Sequence, residues 1–165
     1  MPRAGIALGS NLGDRMANLN EAVRLIGEIA VNNEPILKAP IYQTEPLHCP
    51  PNSPEFLNTV VEFSFDGTAE ELLKKTRAIE TLMGRTPNPQ RNAPRQIDLD
   101  ILYLGEECRD FDHLILPHPR LHERRFVLQP LSDIRPDLVL PGHTKSIAAL
   151  LEKLSSDEAP LVKVM

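Results

Sequence analysis

The chain has few of the residues that cross-link small secreted proteins or fill aromatic cores. Its 165 residues include 2 cysteines, no tryptophan and only 4% aromatic residues. Cys49 and Cys108 lack CxxC spacing, which favours a reducing compartment over a disulfide scaffold. No apolar run approaches about 20 residues, and the first eight residues lack the apolar stretch of a signal peptide. We therefore expect a cytoplasmic protein with no membrane span.

The familiar nucleotide-binding loops are also absent. The chain contains neither GxxxxGK[ST] nor GxGxxG, which excludes a P-loop and a dinucleotide-binding fingerprint. The net charge of −5 argues against general nucleic-acid binding, although a local basic pocket is compatible with it. Pro119 lies between His118 and His122, which disfavours a regular helix and a zinc site there. A nucleophile based on Cys49 has no supporting local signature.

The patterns that are present predict one α+β domain over residues 1–165. Hydrophobic residues make up 41% and charged residues 25%, enough for a packed core. Periodicity and capping signals predict strands at residues 6–8, 31–42, 56–65 and 97–104, and helices at 14–29, 68–83, 126–134 and 146–154. A tight turn is expected at residues 9–11, and proline-rich loops at 44–55 and 85–96. This order predicts a ferredoxin-like split βαβ fold, with helices on one face of a mainly antiparallel sheet and additional C-terminal helices.

Two aspartates interrupt the apolar segment APRQIDLDILYLG, residues 93–105. Alternate residues of a strand share a face, so Asp98 and Asp100 should point the same way, with Cα atoms roughly 6.6–7 Å apart. Such carboxylates repel each other unless a cation compensates, and Mg²⁺ takes one or two carboxylates together with substrate phosphates. The alternative is a solvated strand face paired with Lys or Arg. The arginine-rich loop before the strand and the later segment HPRLHERR favour Mg–nucleotide binding.

Several segments resemble one family in order and spacing. RNAPRQIDLDIL, residues 91–102, resembles the signature segment of the 6-hydroxymethyl-7,8-dihydropterin pyrophosphokinases of the folate pathway. Further matching segments are LGSNLGDR, YQTEPL, PEFLN and LPHPRLHERRFVLQPL. The resemblance spans nearly the whole chain and implies a ferredoxin-like fold. It also implies transfer of the pyrophosphoryl group of ATP to the pterin hydroxymethyl group, with release of AMP.

The resemblance assigns roles residue by residue. It implies that Asp98 and Asp100 bind two Mg²⁺ ions and act in catalysis with Arg91 and Arg95. ATP, the co-substrate, is expected to contact Glu80, Arg91, Arg95, Ile101, His118 and Arg124. The pterin is expected to contact Thr44, Pro46, Leu47, Phe56, Asn58 and Phe126, with the two Phe rings stacking on its faces and Asn58 bonding its edge.

Each of these roles has an ordinary structural alternative. Phe56 and Phe126 could belong to the core, and Arg91 and Arg124 could be solvated charges. Glu80 could be an exposed helix carboxylate. Asn58 favours the pterin interpretation, because it shares a strand face with Phe56 and a buried amide needs a partner.

The chain departs from well-known family members in the arginine loop. Asn92 stands where those members carry a tryptophan, and Pro87 lies near the position of another loop arginine, which Arg85 does not necessarily replace. Both changes affect closure of the loop more than metal binding. We expect activity to be retained, with altered substrate affinity or turnover.

Two other functions are alternatives to the pyrophosphokinase. The first is a Mg-dependent nucleotidyltransferase, although in that group the DxD follows the Gly-Ser turn closely. The second is a non-catalytic ferredoxin-like ligand-binding module, which gives no reason for the aspartates and the arginine loop to coincide. We expect ATP and a pterin as small-molecule partners, no nucleic acid and no membrane, and a monomer, with weak dimerisation as the alternative.

Overall fold

The computed structural model describes residues 2–44, 55–84, 96–111, 114–154 and 161–164. In chain order, its elements are β1 (Arg3–Ser10), α1 (Arg15–Ile29), β2 (Leu37–Lys38), β3 (Tyr42–Thr44), β4 (Phe56–Ser64), α2 (Ala69–Leu82), β5 (Asp98–Leu104), β6 (Arg109–Phe111), β7 (Leu114–Leu116), a 3₁₀ turn (Leu121–Glu123), α3 (Arg125–Ile134), α4 (Ile147–Lys153) and β8 (Val162–Lys163). None of the helices in these ranges is long and apolar enough to cross a membrane.

Local capping signals start the first two helices where the sequence predicts. The Asp14 carboxylate accepts a hydrogen bond from the backbone N–H of Ala17 at 3.1 Å, which caps α1. Thr68 and Glu71 form a reciprocal capping box at the start of α2. These caps satisfy backbone donors that the first helical turn leaves without a partner, so both predicted starts are confirmed within one residue.

The main sheet has the strand order β5-β1-β4-β3-β8, with β2 also paired to β4. Every described pairing in it is antiparallel. A separate hairpin joins β6 and β7. The mixed architecture with an antiparallel sheet agrees with the predicted α+β class.

Two strand predictions were wrong in extent. The expected strand over residues 31–42 is two short strands, because Asn33 adopts a left-handed φ of 70° and Pro35 and Pro40 supply no ladder N–H. The tight turn expected at residues 9–11 does not begin at Gly9, because β1 continues through Gly9 and Ser10, paired with β4. Tertiary pairing overrides the local turn signal there.

Helices cover both faces of the sheet, which corrects the prediction of one covered face. Ile6 of β1 packs with α1 and α2 in one core cluster. Ala7, the next residue, packs with α3 and α4 in a second cluster. Because neighbouring residues of a strand point to opposite faces, β1 and β4 are buried along almost their whole length. We call the two sides the α1/α2 face and the α3/α4 face.

A buried charge cluster lies on the α3/α4 face. Glu62 of β4 is 1% exposed and accepts hydrogen bonds from the Tyr103 hydroxyl at 2.5 Å and from Arg135 at 2.5 Å. The guanidinium of Arg3 donates to its other oxygen at 3.1 Å. Gly5 of β1 is paired with both Glu62 and Tyr103, and a Cβ there would lie 2.3 Å from the tyrosine ring. The glycine therefore lets the tyrosine reach across the central strand.

Candidate active site

Polar residues from three strands meet on the α3/α4 face. Gly9 of β1 is paired with Asn58 of β4 on one side and with Asp98 of β5 on the other. A Cβ at Gly9 would lie 2.9 Å from the Asn58 carbonyl oxygen and 3.5 Å from the Phe56 ring. Gly9 therefore leaves the space that the neighbouring side chains use. Sequence analysis missed this residue as part of the site because the GS pair was interpreted as a turn.

The two aspartates alternate with core residues as predicted. Leu99 and Ile101 are 7% and 6% exposed and belong to the core of the α1/α2 face. Asp98 and Asp100 therefore share the α3/α4 face, each partly exposed. The side chain of Asp100 is 40% exposed, and an oxygen of it lies 3.9 Å from the Arg124 guanidinium. The predicted shared face is confirmed.

The donor set at the aspartates suits a hard cation completed by its substrate. Among the residues that the structure describes, no group of three His, Cys, Asp or Glu side chains could hold a metal by itself. A pair of half-exposed carboxylate side chains is what Mg²⁺ uses when phosphate oxygens and water supply the other ligands. Asp98 and Asp100 fit such an ion, and they do not form a closed structural metal site.

Arg124 connects the aspartates with the start of α3. It is the residue before the first turn of that helix. Its guanidinium lies near Asp100 and also 5.6 Å from the centroid of the Phe126 ring, within the range of a cation–π contact. The side chain is 27% exposed. The Arg124 guanidinium therefore contacts both a carboxylate and an aromatic ring. The alternative interpretation of Arg124 as a fully solvated charge is not supported.

His118 lies beside the same groups in its neutral form. Burial lowers the pKa of His118 to about 4, the charges of Arg124 and Arg120 act in the same direction, and Asp98 opposes them. Its Nδ1 accepts a hydrogen bond from the backbone N–H of Arg120 at 3.2 Å. A neutral imidazole that accepts at Nδ1 carries its proton on Nε2, so His118 presents an N–H donor. The predicted absence of a regular helix at this segment is confirmed, since residues 121–123 form only a 3₁₀ turn.

The predicted pterin residues within the described ranges lie on this face too. The Asn58 amide is 6% exposed and donates to the Thr44 hydroxyl at 2.7 Å, which gives the buried amide a partner. Phe56 lies two residues before Asn58 and is partly buried. Phe126 is partly buried against the core of the α3/α4 face. Pro46 and Leu47 lie outside the described residues.

Two residues expected on the nucleotide side, Glu80 and Ile101, have buried side chains. Glu80 is 8% exposed, and its carboxylate accepts the backbone N–H of Leu99 at 2.8 Å, so the interpretation as an exposed helix carboxylate is wrong. Leu99, the donor of this hydrogen bond, stands between Asp98 and Asp100 in the sequence. The side chain of Ile101 is buried in the core, which leaves its main chain as the part able to contact a ligand. Arg91, Arg95 and the altered position Asn92 lie outside the described residues.

Carboxylates, a guanidinium and a neutral imidazole on one end of a sheet form the kind of site that phosphate-transferring enzymes use. The family model for 7,8-dihydro-6-hydroxymethylpterin-pyrophosphokinase (HPPK) matches residues 5–136. The chain belongs to this family, so the family prediction is confirmed. Neither the nucleotidyltransferase nor the non-catalytic module is favoured.

The relatives differ in length. A 2-amino-4-hydroxy-6-hydroxymethyldihydropteridine pyrophosphokinase of Bacillus subtilis is 43% identical over 131 residues, covering 79% of this chain and 77% of that protein. A folate synthesis bifunctional protein of Arabidopsis thaliana is 44% identical over 131 residues, which is 78% of this chain but 26% of the plant protein. The chain thus spans about a quarter of that longer relative.

Solved structures show the same fold at low sequence identity. The structure of Plasmodium falciparum HPPK-DHPS with pteroate superposes with a TM-score of 0.72 at 16% identity. It covers 92% of this chain and 42% of the parasite chain. At this identity the likeness concerns the fold alone.

Proposed function

We propose that the chain transfers the pyrophosphoryl group of ATP to the hydroxymethyl group of 6-hydroxymethyl-7,8-dihydropterin. The hydroxymethyl oxygen forms a bond to the β-phosphorus and gives up its proton to water. The bond from that phosphorus to the α-phosphate oxygen breaks, and AMP leaves with that oxygen. The observation that carries the proposal is the row Asn58–Gly9–Asp98, which sets a hydrogen-bonding amide beside a carboxylate pair. Family membership supports the same reaction.

Asp98 and Asp100 are the proposed ligands of two Mg²⁺ ions. When bound, Mg²⁺ neutralises phosphate charge and lowers the pKa of a coordinated hydroxyl, so a dedicated protein base is unnecessary. The chain's own part is to hold two carboxylates on one face of a strand whose other face is buried in the core. That burial limits their movement, which matters because in-line transfer depends on positioning.

The nucleotide side of the proposed site uses groups that donate or carry positive charge. His118 interacts electrostatically with Asp98, and the guanidinium of Arg124 lies 3.9 Å from Asp100; their N–H groups suit the phosphate oxygens. Glu80 orders the strand through the Leu99 N–H, and its predicted contact with ATP remains a proposal, as does that of Ile101. Arg91 and Arg95 are proposed to take further phosphate charge and to act in the transfer.

The pterin side combines aromatic faces with a polar edge. Phe56 and Phe126 are the proposed stacking residues, and Asn58, held by Thr44, is the proposed partner of the ring edge. Pro46 and Leu47 are proposed to line the same pocket. The side-chain amide oxygen of Asn58 lies over Gly9. There it can accept a hydrogen bond from an N–H group at the edge of a ligand.

We also propose that the fold is of the ferredoxin-like split βαβ type. The described strand order β5-β1-β4-β3, with all neighbours antiparallel, supports this proposal. We expect one domain over residues 1–165 acting as a monomer. A cytoplasmic location suits the exposed, unpaired thiol of Cys108.

The test is a separation of nucleotides after incubation of the protein with ATP, Mg²⁺ and the pterin. AMP that appears only with the pterin, and that is lost with EDTA, is the expected result. ADP would indicate ordinary kinase chemistry, and pyrophosphate would indicate nucleotidyl transfer. Either product in place of AMP overturns the proposal, as does the absence of turnover by folded protein.

A further inference from the structure

The two walls proposed to hold the pterin belong to different elements. Thr44 and Asn58, the polar wall, come from the neighbouring strands β3 and β4. Phe126, an aromatic wall, lies in the first turn of α3. Helix α3 contacts both strands. The spacing between the walls therefore depends on how α3 is attached to β3 and β4.

One hydrogen bond attaches α3 directly to the strand that carries Thr44. The hydroxyl of Tyr42, the first residue of β3, donates to the Asp133 carboxylate at 2.5 Å. Tyr42 is 6% exposed. It points to the same face as Thr44, two residues later in the strand. Asp133 lies near the C-terminal end of α3.

The stripe of α3 that meets Tyr42 also carries Phe126. Asp133 follows Phe126 by seven residues, which is two helical turns, so both side chains lie on one side of the helix about 10.5 Å apart along its axis. Pro130 lies between them and has no N–H to donate to the Phe126 carbonyl. The first turn of α3 therefore lacks one backbone hydrogen bond of the helix. Its position depends more on the packing of α3 against the sheet.

The Tyr42 hydroxyl remains a donor under ordinary assay conditions. Burial raises the pKa of Tyr42 to about 12, and the hydrogen bond to Asp133 and its charge act in the same direction, while a hydrogen bond with Gln129 opposes them. Gln129 lies one turn before Asp133 on the same stripe of α3. The Tyr42 hydroxyl therefore interacts with two α3 residues, Gln129 and Asp133, that lie one helical turn apart.

We infer that Tyr42 is a positioning residue for the pterin: through Asp133 it sets the distance between the Thr44–Asn58 wall and the Phe126 ring. This inference rests on the proposed function. A flat ligand needs its stacking ring and its edge contact at one fixed spacing, so loosening α3 should weaken pterin binding. The carboxylates of Asp98 and Asp100 lie on β5, which does not pair with β3, and should be unaffected. Arg124 precedes the first turn of α3 and contacts Phe126, so a smaller effect on ATP binding is expected beside the effect on the pterin.

The chain supplies a matched control, because Tyr103 is its other tyrosine. Tyr103 is also buried and also donates to a carboxylate at 2.5 Å, that of Glu62, but this bond joins β5 to β4 and does not involve β3. Tyr42→Phe and Tyr103→Phe thus remove the same chemical group from similar surroundings. A purely structural role would give the two variants similar phenotypes.

The experiment measures kcat and the KM values for pterin and ATP in both variants, together with calorimetric Kd values for the pterin and thermal unfolding. For Tyr42→Phe we expect the KM and Kd for the pterin to rise about tenfold, with a smaller rise in the KM for ATP and with kcat within about twofold of the wild type. Tyr103→Phe should leave all four values near those of the wild type, even if it melts earlier. An equal rise in pterin KM in both variants, or no rise in Tyr42→Phe, overturns the inference.

Substitutions on the helix side check the same bond from its other end. Asp133→Ala should reproduce the effect of Tyr42→Phe, and the double variant should bind the pterin no more weakly than either single variant. Asp133→Asn keeps a carbonyl acceptor and should restore most of the affinity. Additive losses in the double variant overturn the inference.

Failure of the proposed function is recognised separately, from the wild type. If the wild type binds the pterin but forms no AMP, the proposed function fails, and the Kd values still decide the inference. If the wild type binds no pterin, both fail together.

Discussion

Two rows of side chains cross the α3/α4 face of the sheet, and each is centred on a glycine of β1. One row is Glu62–Gly5–Tyr103 and the other is Asn58–Gly9–Asp98, four residues further along β1. In both rows the missing Cβ gives neighbouring side chains room over the central strand. The first row satisfies its carboxylate with groups from the chain itself. The second leaves its carboxylate, and that of Asp100, half-exposed at the proposed site.

The comparison shows how one sheet face can hold both a structural and a functional carboxylate. Glu62 is closed off from water and bonded by Tyr103, Arg135 and Arg3. Removing a partner from such a buried group is costly, because the remaining charge has no solvent to stabilise it. The Arg124 guanidinium lies 3.9 Å from Asp100, whose side chain is 40% exposed. An external cation can therefore reach the second row but not the first.

We expect the largest effect from substitution of the aspartates at the second row, and we expect it on activity. Asp98→Asn or Asp100→Asn should reduce the rate of AMP formation by on the order of a thousandfold, because the proposed metal ligand is lost. The free energy of unfolding should change little in comparison, because relief of the repulsion between the aspartates opposes the loss of charged contacts such as that of Asp100 with Arg124. Asp66→Asn, an exposed carboxylate outside both rows, is the control. A full rate in both site variants would show that the pair is not a metal ligand.

Breaking the first row should instead reduce stability. Glu62→Ala leaves Tyr103 without its acceptor and two arginines without their shared anion, and we expect a loss of about 3 kcal/mol in the free energy of unfolding. Urea denaturation measures this change. Glu21→Ala, which removes an exposed ion pair with Arg24, should change the free energy of unfolding much less. Similar losses in the two variants would contradict the assignment of Glu62 as a structural anchor.

The glycine of the first row should tolerate no side chain. In Gly5→Ala the new Cβ would lie 2.3 Å from the Tyr103 ring, so the ring or the strand must shift. We expect a loss of about 1–3 kcal/mol in unfolding free energy. Thermal or urea unfolding of Gly5→Ala in a Tyr103→Ala background should show a much smaller loss. If the loss persists in that background, the collision is not its cause.

The glycine of the second row should affect the ligand more than the fold. In Gly9→Ala the new Cβ would lie 2.9 Å from the Asn58 oxygen, which can move more easily than a buried ring. We expect the KM for the pterin to rise about tenfold, which corresponds to about 1.4 kcal/mol of binding free energy, with a smaller loss of stability. Steady-state kinetics and unfolding curves on one preparation measure both. A loss confined to stability would remove Gly9 from the site.

Local signals explain which parts of the fold were predictable. The caps at Asp14 and Thr68, and the alternation around Asp98, depend on residues close in sequence and were read correctly. The strand predicted over residues 31–42 is wrong in extent, because a left-handed Asn33 and the nearby prolines break it. The GS pair was interpreted as a turn because its strand pairing comes from residues about 50 positions away.

Distant contacts explain what was missed at the site. The partners of Glu62 lie 59, 41 and 73 positions away, so no local pattern indicates a buried carboxylate there. The bond between Tyr42 and Asp133 spans 91 positions. The neighbourhood of Asp100 and Arg124 likewise appears only once β5 and α3 are assembled. Motif resemblance predicts which residues form the site, but it could not indicate which contacts hold them.

Within the described sheet, β5 is an outermost strand, and an outermost strand can template pairing with another polypeptide. Two contacts occupy part of that edge: Glu80 accepts the N–H of Leu99, and the N–H of His118 donates to the Leu102 carbonyl at 2.8 Å. Groups that border the proposed nucleotide site thus also hinder self-association through β-strand addition. The carboxylates of β5 thus remain accessible to small substrates, while fewer of its backbone N–H and C=O groups are available for pairing with a second chain.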